Sequence, residues 1–200
     1  VIVNEVNYNQ SEIGIDLGIK DFAITSDGEK IDNPRHLQKY QDKLARLQKK
    51  IARKEEGSNN WKKVKQKIAK VHRKIKNVRK DFLHKLSTRL VKENQLIAIE
   101  DLNIEGMLKN SKLAKHIADV SWGKFVKMLE YKAKWYNCIV KKVDTFFPSS
   151  QTCSECGKKN PEVRDLNVRN WICECGAKHQ RDLNASINIL NQAKKQLATG

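Results

Sequence analysis

The sequence predicts an α/β domain whose sheet is interrupted twice, first by long helices and later by a cysteine-rich module. Three observations carry this. Strand-like apolar runs, Ile13-Gly14-Ile15-Asp16-Leu17 and Leu96-Ile97-Ala98-Ile99, lie on either side of a stretch with helical apolar spacing, and four cysteines fall within the 23 residues from Cys153 to Cys175. At 200 residues the chain is long enough to bury a core without disulfide staples.

The first segment, residues 1–35, reads as three strands. Ile2 and Val6 give it a strand-like opening, and the absence of an initiating Met leads to the expectation that the chain is cut from something longer. A basic stretch followed by a long apolar run is absent, so no secretory signal is visible. In Ile13 to Gly18 a carboxylate, Asp16, stands inside an otherwise apolar strand, and burying a charge is costly unless a metal or a cation meets it. Phe22-Ala23-Ile24-Thr25 and Glu29-Lys30-Ile31 flank Asp27-Gly28, a short hairpin signal, so these three strands are expected to run antiparallel.

Residues 36–94 hold 20 Lys+Arg against 5 Asp+Glu, which concentrates nearly the whole +17 surplus of the chain in one region. Leu37, Tyr40, Leu44, Leu47 and Ile51, then Trp61, Val64, Ile68, Val71, Ile75, Val78 and Phe82, step by threes and fours and predict two helices packed as an antiparallel hairpin. Glu55 to Asn60 supplies the turn. A second arm running to Val91 would be roughly 45 Å long. Mixed charge runs are usually a solvated face, but Lys62, Lys63, Lys65, Lys67, Lys70, Arg73, Lys74 and Arg79 carry one sign, which favours a surface for phosphate backbones. A membrane-surface helix is the weaker rival, because the apolar stripe suits a partner helix better than lipid. No run approaches the roughly 18 apolar residues of a membrane span.

In residues 95–147, Leu96 to Ile99 reads as a fully buried strand ending in Glu100-Asp101, followed by a helix from about Asp119 to Tyr136 and a strand from Cys138 to Val143. Residues 148–179 hold Cys153, Cys156, Cys173 and Cys175, two close pairs sixteen residues apart, each followed by a glycine that permits a tight knuckle turn. Two thiolate pairs suit one tetrahedral zinc with no open position, hence a structural zinc ribbon; His179 is the alternative to Cys173 or Cys175 as a ligand. Cys138 reads as a small buried hydrophobe. Residues 180–200 give a helix with Leu183, Ile187 and Leu190 on one face, with Asp182 in its first turn; taken alone, Asp182 reads best as a helix cap, and Asn191 to Gly200 as a fraying tail.

Three antiparallel strands, a helical insertion, a central parallel strand, a helix and a further strand follow the order of an RNase H-like fold. In that fold Asp16 and Glu100 lie on neighbouring strands and Asp182 on a late helix completes a carboxylate cluster. Two Mg²⁺ ions about 3.5–4 Å apart on such hard oxygen ligands activate water and neutralise the leaving oxygen in phosphodiester hydrolysis.

Gly14-Ile15-Asp16-Leu17-Gly18, Ile99-Glu100-Asp101-Leu102, Pro148-Ser149-Ser150-Gln151-Thr152-Cys153-Ser154-Glu155-Cys156-Gly157 and Arg181-Asp182-Leu183-Asn184-Ala185 together resemble the RuvC nuclease half of the transposon-encoded TnpB family. The resemblance implies an RNase H-like (RuvC) domain with a long basic helical hairpin insertion and a C-terminal zinc ribbon insertion. It further implies that Asp16, Glu100 and Asp182 are catalytic acids holding Mg²⁺ or Mn²⁺, and that Cys153, Cys156, Cys173 and Cys175 hold a structural Zn²⁺. The implied partners are a guide RNA from the transposon end and a DNA target, with no membrane and no small-molecule substrate. The implied setting is the cytoplasm of a prokaryote, with action at the nucleoid. Relatives of this kind carry a further N-terminal half that holds the guide and reads a flanking motif, and that half is expected to be missing here. Competing readings are a nuclease-inactive RNA-guided DNA-binding repressor, a transposase acting by strand transfer with the same acids, and a plain zinc-ribbon DNA-binding module.

Overall fold

The computed structural model describes residues 11–199, so the strand-like opening at Ile2 to Val6 lies outside the described residues. The chain divides into two compact units, one made of Pro34–Leu86 and the other of the segments on either side of it.

The larger unit is built on a five-stranded sheet. Its strands are β1 (Glu12–Leu17), β2 (Asp21–Thr25), β3 (Lys30–Asp32), β4 (Leu96–Glu100) and β5 (Ile139–Val143), in the order β3-β2-β1-β4-β5. The first three strands are antiparallel, as the hairpin signal predicts; Gly28 takes φ 90° in the turn, a conformation that costs glycine little. β4 and β5 then add in parallel beside β1. Ile13, Ile15, Ile97 and Ile99 are buried on one face while Gly14 and Ala98 line the other. That is the pattern of a central sheet covered on both sides.

The helix α1 (His36–Ala52) and the 35-residue α2 (Asn59–Glu93) follow β3. At 1.5 Å per residue α2 is about 52 Å long. Within the smaller unit Leu44, Val71 and Ile75 form a buried seam flanked by Leu37, Tyr40, Leu47 and Ile68, so the two helices close on each other through the predicted periodic residues. His36 stacks edge-on to Phe82, which fixes the antiparallel sense.

After β4 come α3 (Ile104–Leu108), α4 (Ser111–Val120) and α5 (Trp122–Tyr136). The single helix expected from about Asp119 is instead a break between α4 and α5, because Ser121 adopts a left-handed conformation with φ 60°. Trp122, Phe125, Leu129 and Ala133 form the buried stripe of α5, and Phe125 meets the ring of Phe22 edge-on at 5.1 Å. Beyond β5 a short 3₁₀ turn, Pro161–Arg164, precedes a small antiparallel pair, β6 (Asn170–Ile172) and β7 (Lys178–Gln180).

The last helix, α6 (Arg181–Ala198), corrects the expectation of a fraying tail. Ala193 is fully buried with Ile189, Ala98 and Val143, and Lys194 pairs with Glu12 at 2.5 Å. A side chain at Gly14 would strike the Ser186 carbonyl oxygen and stand 2.9 Å from Leu190 Cβ, so α6 lies directly on the β1 backbone. Gly14→Ala is expected to cost about 3 kcal/mol through overpacking, read as a drop of several degrees in melting temperature. A melt like the parent's would mean that α6 does not lie so close.

Candidate active site and cysteine cluster

Asp16 and Glu100 are brought together by register. β1 and β4 pair in parallel from Glu12 with Leu96 through Ile15 with Ile99, which puts Asp16 beside Glu100 at the carboxyl ends of both strands. Laterally paired residues share a face, so both carboxylates point to the side of Gly14 and Ala98, where α6 lies. The first turn of α6 brings Asp182 within electrostatic reach of Asp16.

The Asp16 carboxyl is held well above the usual carboxylate range, first by burial and then by the negative charges of Glu100 and Asp182, with Arg181 and Arg169 opposing. Glu100 is also raised by burial, against a lowering hydrogen bond from the Ser149 hydroxyl. Among the described residues only the four cysteines have ligand atoms all within 4.8 Å of one another. The three acids stand further apart, as hard oxygen donors, and a divalent cation would offset the charge on Asp16.

Asp182 is not the helix cap that its position suggested. Gln180 caps α6, its Oε1 accepting from the Leu183 amide at 2.6 Å. Asp182 instead accepts from Arg169 Nη1 at 3.2 and 3.3 Å and from Gln180 Nε2 at 3.3 Å.

The sequence leaves open whether Asp101 or Asn184 supports the acids, and sequence reasoning missed Ser149 and Asn188, which position Glu100. Asn184 and Asn188, one turn apart on α6, both donate to the Thr152 carbonyl at 2.7 and 2.5 Å, and Asn188 also donates to the Ser149 carbonyl at 2.8 Å. Asn184 Oδ1 accepts from the Ser154 amide at 3.0 Å. Ser149 is thereby fixed with its hydroxyl on Glu100. A signal was present, since two asparagines at i and i+4 inside a helix are poor helix formers and need a reason. Asp101, the neighbour of Glu100, is exposed and faces Lys142 at 4.0 Å.

The four predicted cysteines also converge. The sulfurs of Cys153, Cys156, Cys173 and Cys175 all lie within 4.8 Å of one another, with Cys153 to Cys175 at 3.8 Å and Cys156 to Cys173 at 3.6 Å. Tetrahedral thiolates 2.3 Å from one zinc ion would stand about 3.8 Å apart, so the donor set fits a metal such as zinc. His179 Nε2 lies 3.1 Å from Cys153 Sγ, beside the cluster. The one-residue-shorter second pair is absorbed by its turn: Gly157 donates back to the Cys153 carbonyl at 2.9 Å and Gly176 to that of Cys173 at 2.8 Å, both glycines at positive φ. Besides these sulfurs the module buries little, chiefly Val163 and Trp171, and a unit of about 30 residues cannot hold itself with so small a core. Cys138 lies apart and buried, its thiol pushed up to about 11, which makes it inert.

The predicted basic residues lie along α2. Lys62, Lys63, Lys65, Lys67, Lys70, Arg73 and Lys74 are exposed and Arg79 is half-buried, while Val64, Val71 and Ile75 take the buried face. Lys65 rests on the Trp61 ring at 4.5 Å. Among the described residues no helix is long and apolar enough to cross a membrane.

The chain matches two family models, one described as "Probable transposase" over residues 3–111 and one as "Cas12f1-like, TNB domain" over residues 122–189. A Streptomyces pristinaespiralis protein named "Putative RNA-guided DNA endonuclease" is 49% identical over 178 residues, which cover 89% of this chain and 44% of that protein. "Putative RNA-guided DNA endonuclease InsQ" of Escherichia coli strain K12 is 36% identical, covering 98% of this chain and 52% of that protein. The chain thus spans about half the length of these relatives. A Cas12f1 chain, solved in complex with single-guide RNA and target DNA, superposes with a TM-score of 0.64 at 19% identity, covering 90% of this chain and 49% of that one, a likeness of fold.

Replacing Cys156 by Ser is expected to lose one equivalent of bound zinc per chain and to open residues 148–179 to limited proteolysis. Metal analysis beside a digest checks both, and full zinc content in the variant would exclude Cys156 as a ligand.

Proposed function

The chain belongs to the TnpB family, and on that premise we propose that it is the RuvC-like nuclease part of an RNA-guided DNA endonuclease, hydrolysing phosphodiester bonds. The observation that carries this reading is the gathering of Asp16, Glu100 and Asp182 at the carboxyl ends of β1 and β4, under the first turn of α6. The strand order β3-β2-β1-β4-β5, antiparallel then parallel, supports an RNase H-like assignment of the sheet, with residues 36–94 and 148–179 as its two insertions.

In this reading the three carboxylates hold Mg²⁺ or Mn²⁺, which when bound supplies an activated water and neutralises the leaving oxygen. The chain itself orients the acids. Ser149 holds Glu100 in one rotamer, the two asparagines hold Ser149, and burial keeps Asp16 poorly solvated until a cation takes its charge. Zn²⁺ on the four cysteines is structural, because all four positions are filled by thiolates. The relatives' names support an RNA guide and a DNA target as partners. Lys62, Lys63, Lys65, Lys67, Lys70, Arg73, Lys74 and Arg79 meet their phosphates, and the guide derives from the transposon end. Action is in a prokaryotic cytoplasm, at the nucleoid.

The test is cleavage of labelled DNA with Mg²⁺ or Mn²⁺, with Asp16→Ala beside the parent. Cutting is expected to fall to background in the variant while its melting curve stays cooperative; persistent cutting would remove Asp16 from the site. Joined products in place of cut ones would favour strand transfer. Binding is expected to weaken with salt, and changing Lys62, Lys63 and Lys65 to Gln should lower the slope of log affinity against log salt by about 0.7–0.9 for each phosphate no longer neutralised. An unchanged slope would take those residues off the binding surface.

A further inference from the structure

The segment from Val143 to Ser149 is a short loop fixed at both ends to one catalytic candidate. Val143 pairs with Glu100 in the sheet, and the Ser149 hydroxyl donates to the Glu100 carboxylate. Between them the Thr145 hydroxyl donates to the Asp101 carbonyl, Asp144 Oδ1 accepts from the Phe146 amide at 2.7 Å, and the Phe147 amide donates to the Asp144 carbonyl at 3.0 Å. The loop is therefore a defined turn.

Its two phenylalanines go opposite ways. Phe147 packs on the core formed by Ala98, Val143, Ile189 and Ala193. Phe146 is 91% exposed, the most exposed of the large apolar side chains described. Among the described residues no ring stacks on it, whereas exposed Trp135 has Tyr131 at 4.9 Å. A rigid turn that presents a bare aromatic face to water gains nothing in folding, so the face is free for a flat ligand. Three residues of chain reach at most about 10 Å and paired strands stand about 4.8 Å apart, so the Phe146 backbone lies within about 15 Å of that of Glu100. That span is about two to three nucleotides of an extended strand, so a strand with one phosphate on the carboxylates would have a neighbouring base within reach of the ring.

We propose that Phe146 is a stacking platform for an unpaired nucleobase of the strand lying across Asp16, Glu100 and Asp182. The inference rests on the nuclease reading above and adds a binding residue to it. The occupant is a base because every base offers a π-face, stacking needs no base identity, and the strand's phosphates are drawn by the basic surplus of the chain. Unpaired strands alone can use the platform, since bases within a duplex already stack on each other.

The test is binding of the full chain to a labelled single strand that carries 2-aminopurine, without added Mg²⁺ or Mn²⁺ so that cutting does not compete. Phe146→Ala is expected to weaken binding about 5- to 100-fold, to abolish the fluorescence quenching given by the parent, and to leave duplex affinity and the melting temperature unchanged. Phe146→Trp should keep both affinity and quenching. Equal single-strand affinity for Phe146→Ala and the parent, or an equal loss on duplex, overturns the proposal. Weakening on either a DNA or an RNA strand supports the platform, and the strand weakened more is the one it serves. If the parent cuts with Mg²⁺ while Phe146→Ala binds as the parent does, the nuclease reading stands and this one falls. Binding that depends on Phe146 without cutting does the converse.

Discussion

The seating of α6 on the backbone of β1 at Gly14 is the contact on which the site depends. A helix normally stands off a sheet by the length of two side chains, but here Gly14 and Ala98 leave room for Ser186 and Leu190 to meet the sheet itself. That approach lowers the first turn of α6 onto the carboxyl ends of β1 and β4. Asp182 then comes within electrostatic reach of Asp16. One side chain more at position 14 would lift the helix and part the acids. The folded chain accepts a costly juxtaposition of like charges here, and α6 secures it with core contacts further along, at Ile189 and Ala193.

The same helix ties the cysteine module to the carboxylates. Asn184 takes the Ser154 amide, next to Cys153, while Asn184 and Asn188 together take the carbonyls that flank Ser150 and Gln151. Order in the knuckle of Cys153 and Cys156 therefore passes through one buried hydrogen-bond network to Ser149 and so to Glu100. A metal on the four sulfurs would thus stiffen the acid site through hydrogen bonds, without any chemistry of its own. Arg169, just before β6, completes the connection from the other side by pairing with Asp182. Its charge offsets part of the repulsion among the acids, and a cation on the carboxylates would compete with it for Asp182.

What could be read from the sequence follows physical range. The antiparallel start, the periodic seam of α1 and α2, the buried β4 and the convergence of four cysteines depend on local periodicity or on ligand spacing, and all were legible. Register is the next level: Asp16 and Glu100 meet because each follows an apolar run of matching length, which the sequence shows only once the strands are known to be parallel neighbours. The break at Ser121 was not legible, since a non-glycine residue at φ 60° leaves no mark in the apolar pattern. Ala193 was overlooked for another reason, because alanine counts weakly as apolar and its burial depends on a partner face supplied by Ala98 and Val143. Ser149, Asn188 and Arg169 act through contacts that span 49, 39 and 13 residues, and only the fold brings such partners together.

None of the binding elements proposed above would read base identity. Lysines and arginines along α2, as proposed, would meet phosphates, which position a strand without reporting its sequence. A stacked phenylalanine accepts any base, and carboxylates with a cation act on the backbone common to all of them. A cutting centre assembled from such parts would degrade strands indiscriminately unless selection came from outside it. Base pairing with a second strand is the economical source, because a protein can hold a heteroduplex by its shape and charge while the pairing itself discriminates. The chemistry proposed for this chain is thus of the kind that an RNA guide would complement.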